Sequence, residues 1–125
     1  MGHPARPLVS PAPRDTLDAY FEAEAASDRR HEYLHGRIVA LAGAAPEHNV
    51  IKTNVAAELR AALRPRGCFV TTSDQRVQVT EDAYVYPDVV VACDPRYRPT
   101  PRPASLTNPD LVVEVLSQTT SQRDR

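Results

Sequence analysis

Lysine is all but missing from this chain. Lys52 is the only one, and the rest of the 15 Lys and Arg residues are arginines. The formal net charge is -1, so the chain lacks the global basic footprint of a small protein that coats a duplex. A local basic patch stays compatible with that total. No stretch is long and apolar enough to cross a membrane, and MGHPARPLVSPAPRD has no apolar h-region of a secretory signal. A cytoplasmic protein without a membrane partner is therefore expected. Cysteine is scarce as well. Cys68 and Cys93 lie 25 positions apart and match no zinc or redox spacing. Two free thiols in a reducing compartment are the expectation, since a disulfide needs a geometry that spacing does not reveal. There is no internal repeat.

What is present fits one domain. The chain has 125 residues, 42% of them hydrophobic, enough for a single core. Many of these are alanines, and the strongly apolar content sits in short Val/Leu/Ile runs, which predicts a sheet-centred α/β core. Residues 1–14 are rich in Pro, Ala and Arg without periodicity and read as a disordered leader. The domain is expected over 15–125. TLDAYFEAEAASD predicts a short helix capped by Asp15 or Thr16, with Leu17, Tyr20 and Phe21 as its buried stripe. In HEYLHGRIVALAG the His35-Gly36 step between two β-prone runs predicts a hairpin. A longer helix is expected from Pro46 to about Leu63, with Val50, Ile51, Val55, Leu59, Ala62 and Leu63 on one face.

Four strands are expected after it. CFVTTS is short and β-branched. RVQVT alternates, which puts Val77 and Val79 on one face. YVYPDVVVAC and DLVVEVLS are almost wholly apolar, as central strands covered on both sides would be. Between the last two, DPRYRPTPRPASLTN carries four prolines and reads as an exposed connection. Ser117, Thr119 and Thr120 are candidate caps for a further helix.

Each apolar strand carries one carboxylate, Asp88 in YPDVVVA and Glu114 in LVVEVLS. A carboxylate in apolar surroundings must be paired, neutralised or metal-bound. The bland alternative is that each points to solvent or to an arginine. Geometry chooses between partners for Glu114. Asp110 lies four residues away on the same strand, roughly 13 Å along it. Asp88 on a neighbouring strand can lie about 5 Å away. Asp88 with Glu114 is the better pair, and Asp110 reads as a strand-entry residue.

The order HEYLHGRIVALAGAAPEHNVIKTNVAAELR, then VYPDVVVACD, then NPDLVVEVLSQTTSQRDR resembles the Uma family of restriction-endonuclease-like proteins, within the PD-(D/E)XK nuclease superfamily. The likeness runs from about Asp15 to Arg125. It implies a restriction-endonuclease-like α/β core, a mixed β-sheet flanked by helices. It also implies that Asp88 is the aspartate of the PD motif and Glu114 its second acid, together the metal ligands. His48 matches a recurrent histidine that opens the long helix, and Glu32 a recurrent acid in the hairpin.

The chain departs from that pattern at one place. Leu116 stands where a literal (D/E)XK would have lysine. In the resembling family the lysine comes from a helix following the last acid, just past a step like Asp124-Arg125, where this chain stops. The last helix and a strand are thus expected to be missing, in a fragment or a degenerate copy. Lys52 could take the role only if the long helix borders the site, and a solvated lysine is the plainer reading. The resemblance implies a Mg²⁺- or Mn²⁺-dependent endodeoxyribonuclease acting on DNA, with this stretch inactive by itself. The alternative is a non-catalytic nuclease-fold module that binds DNA or protein. A homodimer is the oligomer to look for. Arg60, Arg64, Arg66, Arg96, Arg98 and Arg102 could contact phosphates, though a solvated surface is their simpler reading.

Overall fold

The first helix starts where Thr16 can cap it. In the computed structural model, which describes residues 14–116, α1 spans Leu17–Ala26. The Thr16 hydroxyl accepts the Ala19 N–H at 3.0 Å, satisfying one donor that a helix start leaves free. Asp15, the other cap candidate, instead accepts the Ile38 N–H at 3.1 Å and ties the helix entry to the hairpin. Tyr20 is fully buried, with Leu17 and Phe21 partly buried beside it. The predicted stripe is present, with Tyr20 at its centre.

The hairpin forms as its turn residues dictate. β1 (His31–Leu34) and β2 (Ile38–Ala40) are antiparallel. His35 and Gly36 take φ values of 52° and 87°, both positive as a two-residue type I′ turn requires. A Cβ at Gly36 would also meet the Arg14 side chain at 3.1 Å. Arg14 is engaged there, donating to the His35 carbonyl at 2.9 Å. The rest of the predicted leader and the predicted caps Ser117, Thr119 and Thr120 lie outside the described residues.

α2 runs Pro46–Leu63, with proline in its first turn where the missing N–H costs nothing. A 3₁₀ turn, Arg64–Arg66, follows, and Gly67 ends it in the left-handed region. The apolar face expected of this helix is only half covered. Val55, Leu59 and Leu63 are half-buried, whereas Val50 and Ile51 are 58% and 49% exposed.

The remaining strands are β3 (Phe69–Thr72), β4 (Val77–Thr80), β5 (Ala83–Val85), β6 (Val89–Ala92), β7 (Tyr97–Arg98), β8 (Ser105–Leu106) and β9 (Leu111–Val113). They form a six-stranded mixed sheet in the order β2-β1-β5-β4-β8-β7 and a three-stranded antiparallel sheet in the order β3-β6-β9. Only the β4–β8 pairing is parallel among the described strands. Val77 and Leu106 of the first sheet pack with Val90 and Ala92 of the second in one core cluster. An aromatic cluster of Tyr20, Tyr33 and Tyr84 seats α1 on the first sheet.

The structure corrects four strand expectations. YVYPDVVVAC is two strands in two sheets, because Pro87 offers no ladder N–H and the chain crosses between sheets there. Val77 and Val79 do not share a buried face: Val77 is 1% exposed and Val79 60%, since β4 has an irregular register between Gln78 and Thr80. DLVVEVLS yields only the three residues of β9, and Leu111 and Val112 are exposed. The proline-rich connection is not merely exposed, for it holds β7 and β8, and Ser105 and Leu106 are buried.

Arg76 explains that burial. It is 0% exposed, donating to the Pro101 and Pro103 carbonyls at 2.9 and 2.8 Å, to Thr100 at 3.1 Å and to the Tyr20 hydroxyl at 3.2 Å. Its guanidinium also meets Glu24 at 2.7 Å. Burial pushes the Glu24 carboxyl up, but hydrogen bonds from Tyr86, Arg76 and His31 outweigh it and hold the group below the usual carboxylate range. The free thiols are corrected too: Cys68 and Cys93 are joined. Phe69 pairs with Ala92, so the next step of the register sets the cysteines opposite each other. Among the described residues no helix is long and apolar enough to cross a membrane.

Candidate functional site

Both acids stand at strand ends rather than inside strands. Val89 of β6 pairs with Val113 of β9. Asp88 precedes the one and Glu114 follows the other, so the same register sets them side by side. The Glu114 carboxyl is pushed up to about 7. Loss of solvent is the largest cause, followed by the negative charges of Asp88 and Glu32, with His48 pulling the other way. Neighbouring carboxylates disfavour each other's ionisation.

Each neighbour is held by a separate element. The buried Pro87 delivers Asp88 at the crossing between the sheets. Asp88 Oδ2 accepts the Val115 N–H at 2.7 Å, continuing the β6–β9 pairing through a side chain. His48 stands in the first turn of α2, and its Nε2 lies 3.2 Å from Asp88 Oδ2. Its Nδ1 is buried without a hydrogen-bond partner among the described residues. A proton on Nε2 would make His48 a donor to Asp88 and leave Nδ1 an unused acceptor. Glu32 lies in β1, where its Oε2 accepts the Tyr86 N–H at 2.9 Å. Its carboxyl is shifted upward, first by burial and also by the charge of Asp88, with the Tyr86 bond opposing.

The four residues singled out from the sequence therefore converge on one corner, from β1, α2, and the ends of β6 and β9. Among the described residues no three His, Cys, Asp or Glu side chains already form a set that could hold a metal ion. Among the described residues His48 is the one basic side chain in ion-pair contact with Asp88, Glu114 or Glu32. Asp110 is elsewhere occupied, its carboxylate accepting the Cys93 N–H at 2.7 Å as a strand-entry residue would. Arg98 donates to the Tyr84 hydroxyl at 2.6 Å, and Arg96 pairs with Asp94 at 3.8 Å. Sequence reasoning missed the Tyr86 and Val115 N–H groups, which carry no side-chain signature. It also missed Ser73, which follows β3 and had nothing to mark it.

Sheets, helices and acidic corner together define the class: the fold is restriction-endonuclease-like. It is similar to the crystal structure of a putative nuclease belonging to DUF820 from Anabaena variabilis, with a TM-score of 0.59 and 20% identity over 78% of this chain and 59% of that one. Residues 17–125 match the Uma2 family, described as "Putative restriction endonuclease", and the chain belongs to that family. Two uncharacterized proteins of Synechocystis sp. are 35% and 32% identical to it over 117 and 112 residues. Those matches take in 93% and 88% of this chain but span only 60% and 63% of the relatives' lengths.

Proposed function

We propose that this chain carries the metal-binding corner of a DNA endonuclease, with Asp88 and Glu114 as ligands of one Mg²⁺ or Mn²⁺ ion. The observation that carries the proposal is the register that sets Asp88 beside Glu114, where loss of solvent and the like charges of Asp88 and Glu32 lift the Glu114 carboxyl to about 7. A divalent cation relieves that repulsion. Mg²⁺ is commonly held by only one or two carboxylates and keeps several waters, so a two-acid corner fits it without a complete protein shell. Bound there, the ion would supply Lewis acidity, lowering the pKa of a water and offsetting charge on a phosphodiester.

The chain's own residues then divide the remaining tasks. His48 Nε2 and the Val115 N–H fix the Asp88 carboxylate. The Tyr86 N–H orients Glu32, which adds negative charge and so raises the corner's preference for a cation. His48 Nδ1, with no partner of its own among the described residues, is left as an unused acceptor. Duplex DNA is the proposed substrate, by the description of the family.

A second reading, a nuclease-fold module that binds without cutting, draws on Leu116, an exposed apolar side chain where an in-strand lysine would stand. Calorimetric titration of Mn²⁺ into the chain and into Asp88→Ala tests the first reading. Equal affinity in both would mean that Asp88 is no ligand. Incubation with plasmid and Mg²⁺ then separates cutting from binding.

A further inference from the structure

We infer that Lys52, clasped to Ser73, is the side chain through which this corner contacts a DNA phosphate; the inference rests on the nuclease reading above. Three observations place it. Lys52 follows His48 by four residues on α2, so the two stack on one side of the helix about one turn apart. His48 touches Asp88, which means that this side of α2 borders the acids. The Lys52 ammonium donates to the Ser73 hydroxyl at 2.7 Å. Ser73 follows β3, whose last pair is Thr72 with Val89. Ser73 opens the turn after β3, in which the Gln75 N–H donates to the Thr72 carbonyl at 3.0 Å. Ser73, Asp88 and Glu114 thus stand at the same end of the three-stranded sheet.

The charge arrangement gives the placement its meaning. Lys52 is half-buried, and among the described residues no carboxylate comes within ion-pair distance of it. An ammonium held by a hydroxyl beside an acidic corner, yet not neutralised by it, keeps its charge for an incoming anion. Serine supplies one acceptor and leaves two ammonium protons to donate. A phosphate bridging Lys52 and a cation between Asp88 and Glu114 would satisfy both at once. Lysine acts here as a point charge rather than a planar fork, which suits a phosphate contact without base readout.

The test follows binding of a short labelled DNA duplex by fluorescence anisotropy across a salt series, with Ca²⁺ present to hold the site without cutting. Mn²⁺ uptake is measured in parallel by calorimetry. Lys52→Met should weaken DNA binding several-fold and lower the slope of log affinity against log salt by about one, as loss of one phosphate contact does. Lys52→Arg should keep that slope, and Ser73→Ala should weaken binding without changing it. If the chain takes up metal but Lys52→Met keeps wild-type affinity and slope, the inference is overturned. Equal losses in Lys52→Met and Lys52→Arg would overturn it too, as the mark of a packing role. So would metal uptake without any DNA binding by the unaltered chain. No metal uptake at all would instead bring down the nuclease reading, and this inference with it.

Discussion

Two acidic clusters lie within this small fold, and they are opposites. Glu24 is buried, yet it meets Arg76 and accepts from Tyr86 and His31, so its carboxyl is held below the usual range. Asp88, Glu114 and Glu32 crowd one corner with only His48 in ion-pair contact among the described residues, and Glu32 and Glu114 are shifted upward. In the first cluster the protein supplies the countercharge and uses the result to pin a loop. In the second the described side chains leave the acids in excess. A satisfied buried ion pair is structure; a crowded acid pair is an invitation to a cation.

The largest expected effect separates the two directly. Arg76→Met should cost about 3–5 kcal/mol, because it leaves Glu24 buried without its charge partner and frees the proline-rich loop. Urea unfolding measures it, and a loss under about 1 kcal/mol would mean that the loop does not depend on the guanidinium. Glu114→Gln should do the reverse. Removing one of two repelling acids should leave the metal-free midpoint at pH 8 unchanged or raised while abolishing Mn²⁺ uptake. A destabilised variant with intact uptake would put Glu114 in the structural class.

The two clusters should also respond to pH with opposite signs. Glu114 has a folded pKa raised to about 7 from 4.5. Its contribution to metal-free stability is therefore fully present below 4.5 and lost as pH rises to about 7. Glu24 has a lowered value, so its contribution is present above the ordinary carboxylate range and lost as pH falls through the depressed value. Glu114→Gln should flatten only the first limb of a stability-against-pH curve. The smallest effect tests whether the clusters are independent. Thr16→Ala removes the cap of the helix that carries Glu24 and should cost about 1 kcal/mol, with Mn²⁺ affinity unchanged.

The sequence is most legible where a residue's local chemistry decides its place. His35-Gly36 marks its turn, Pro46 the start of α2, Gly67 the end of the 3₁₀ turn after it, and the acids of two apolar runs their pairing. What depends on distant partners stays hidden. Nothing local distinguishes Arg76, a fully buried arginine, from the exposed ones around it. In the sequence Pro87 introduces an aspartate and gives no sign that one apolar run changes sheets there. Val79 needs the irregularity in β4, and the exposure of Val50 and Ile51 depends on how far other elements cover α2.

The Cys68–Cys93 bond works as a phase reference for the ladder between β3 and β6. Pairing in a sheet repeats every two residues, so a slip of a single residue would set the side chains of β3 on the wrong face relative to β6 and shift the turn that carries Ser73 against Asp88. Short strands with few polar locks are prone to such slips, and this pair has only four matched positions. A covalent tie at one end of the ladder permits one alignment alone, and so fixes which side chains can meet at the other end.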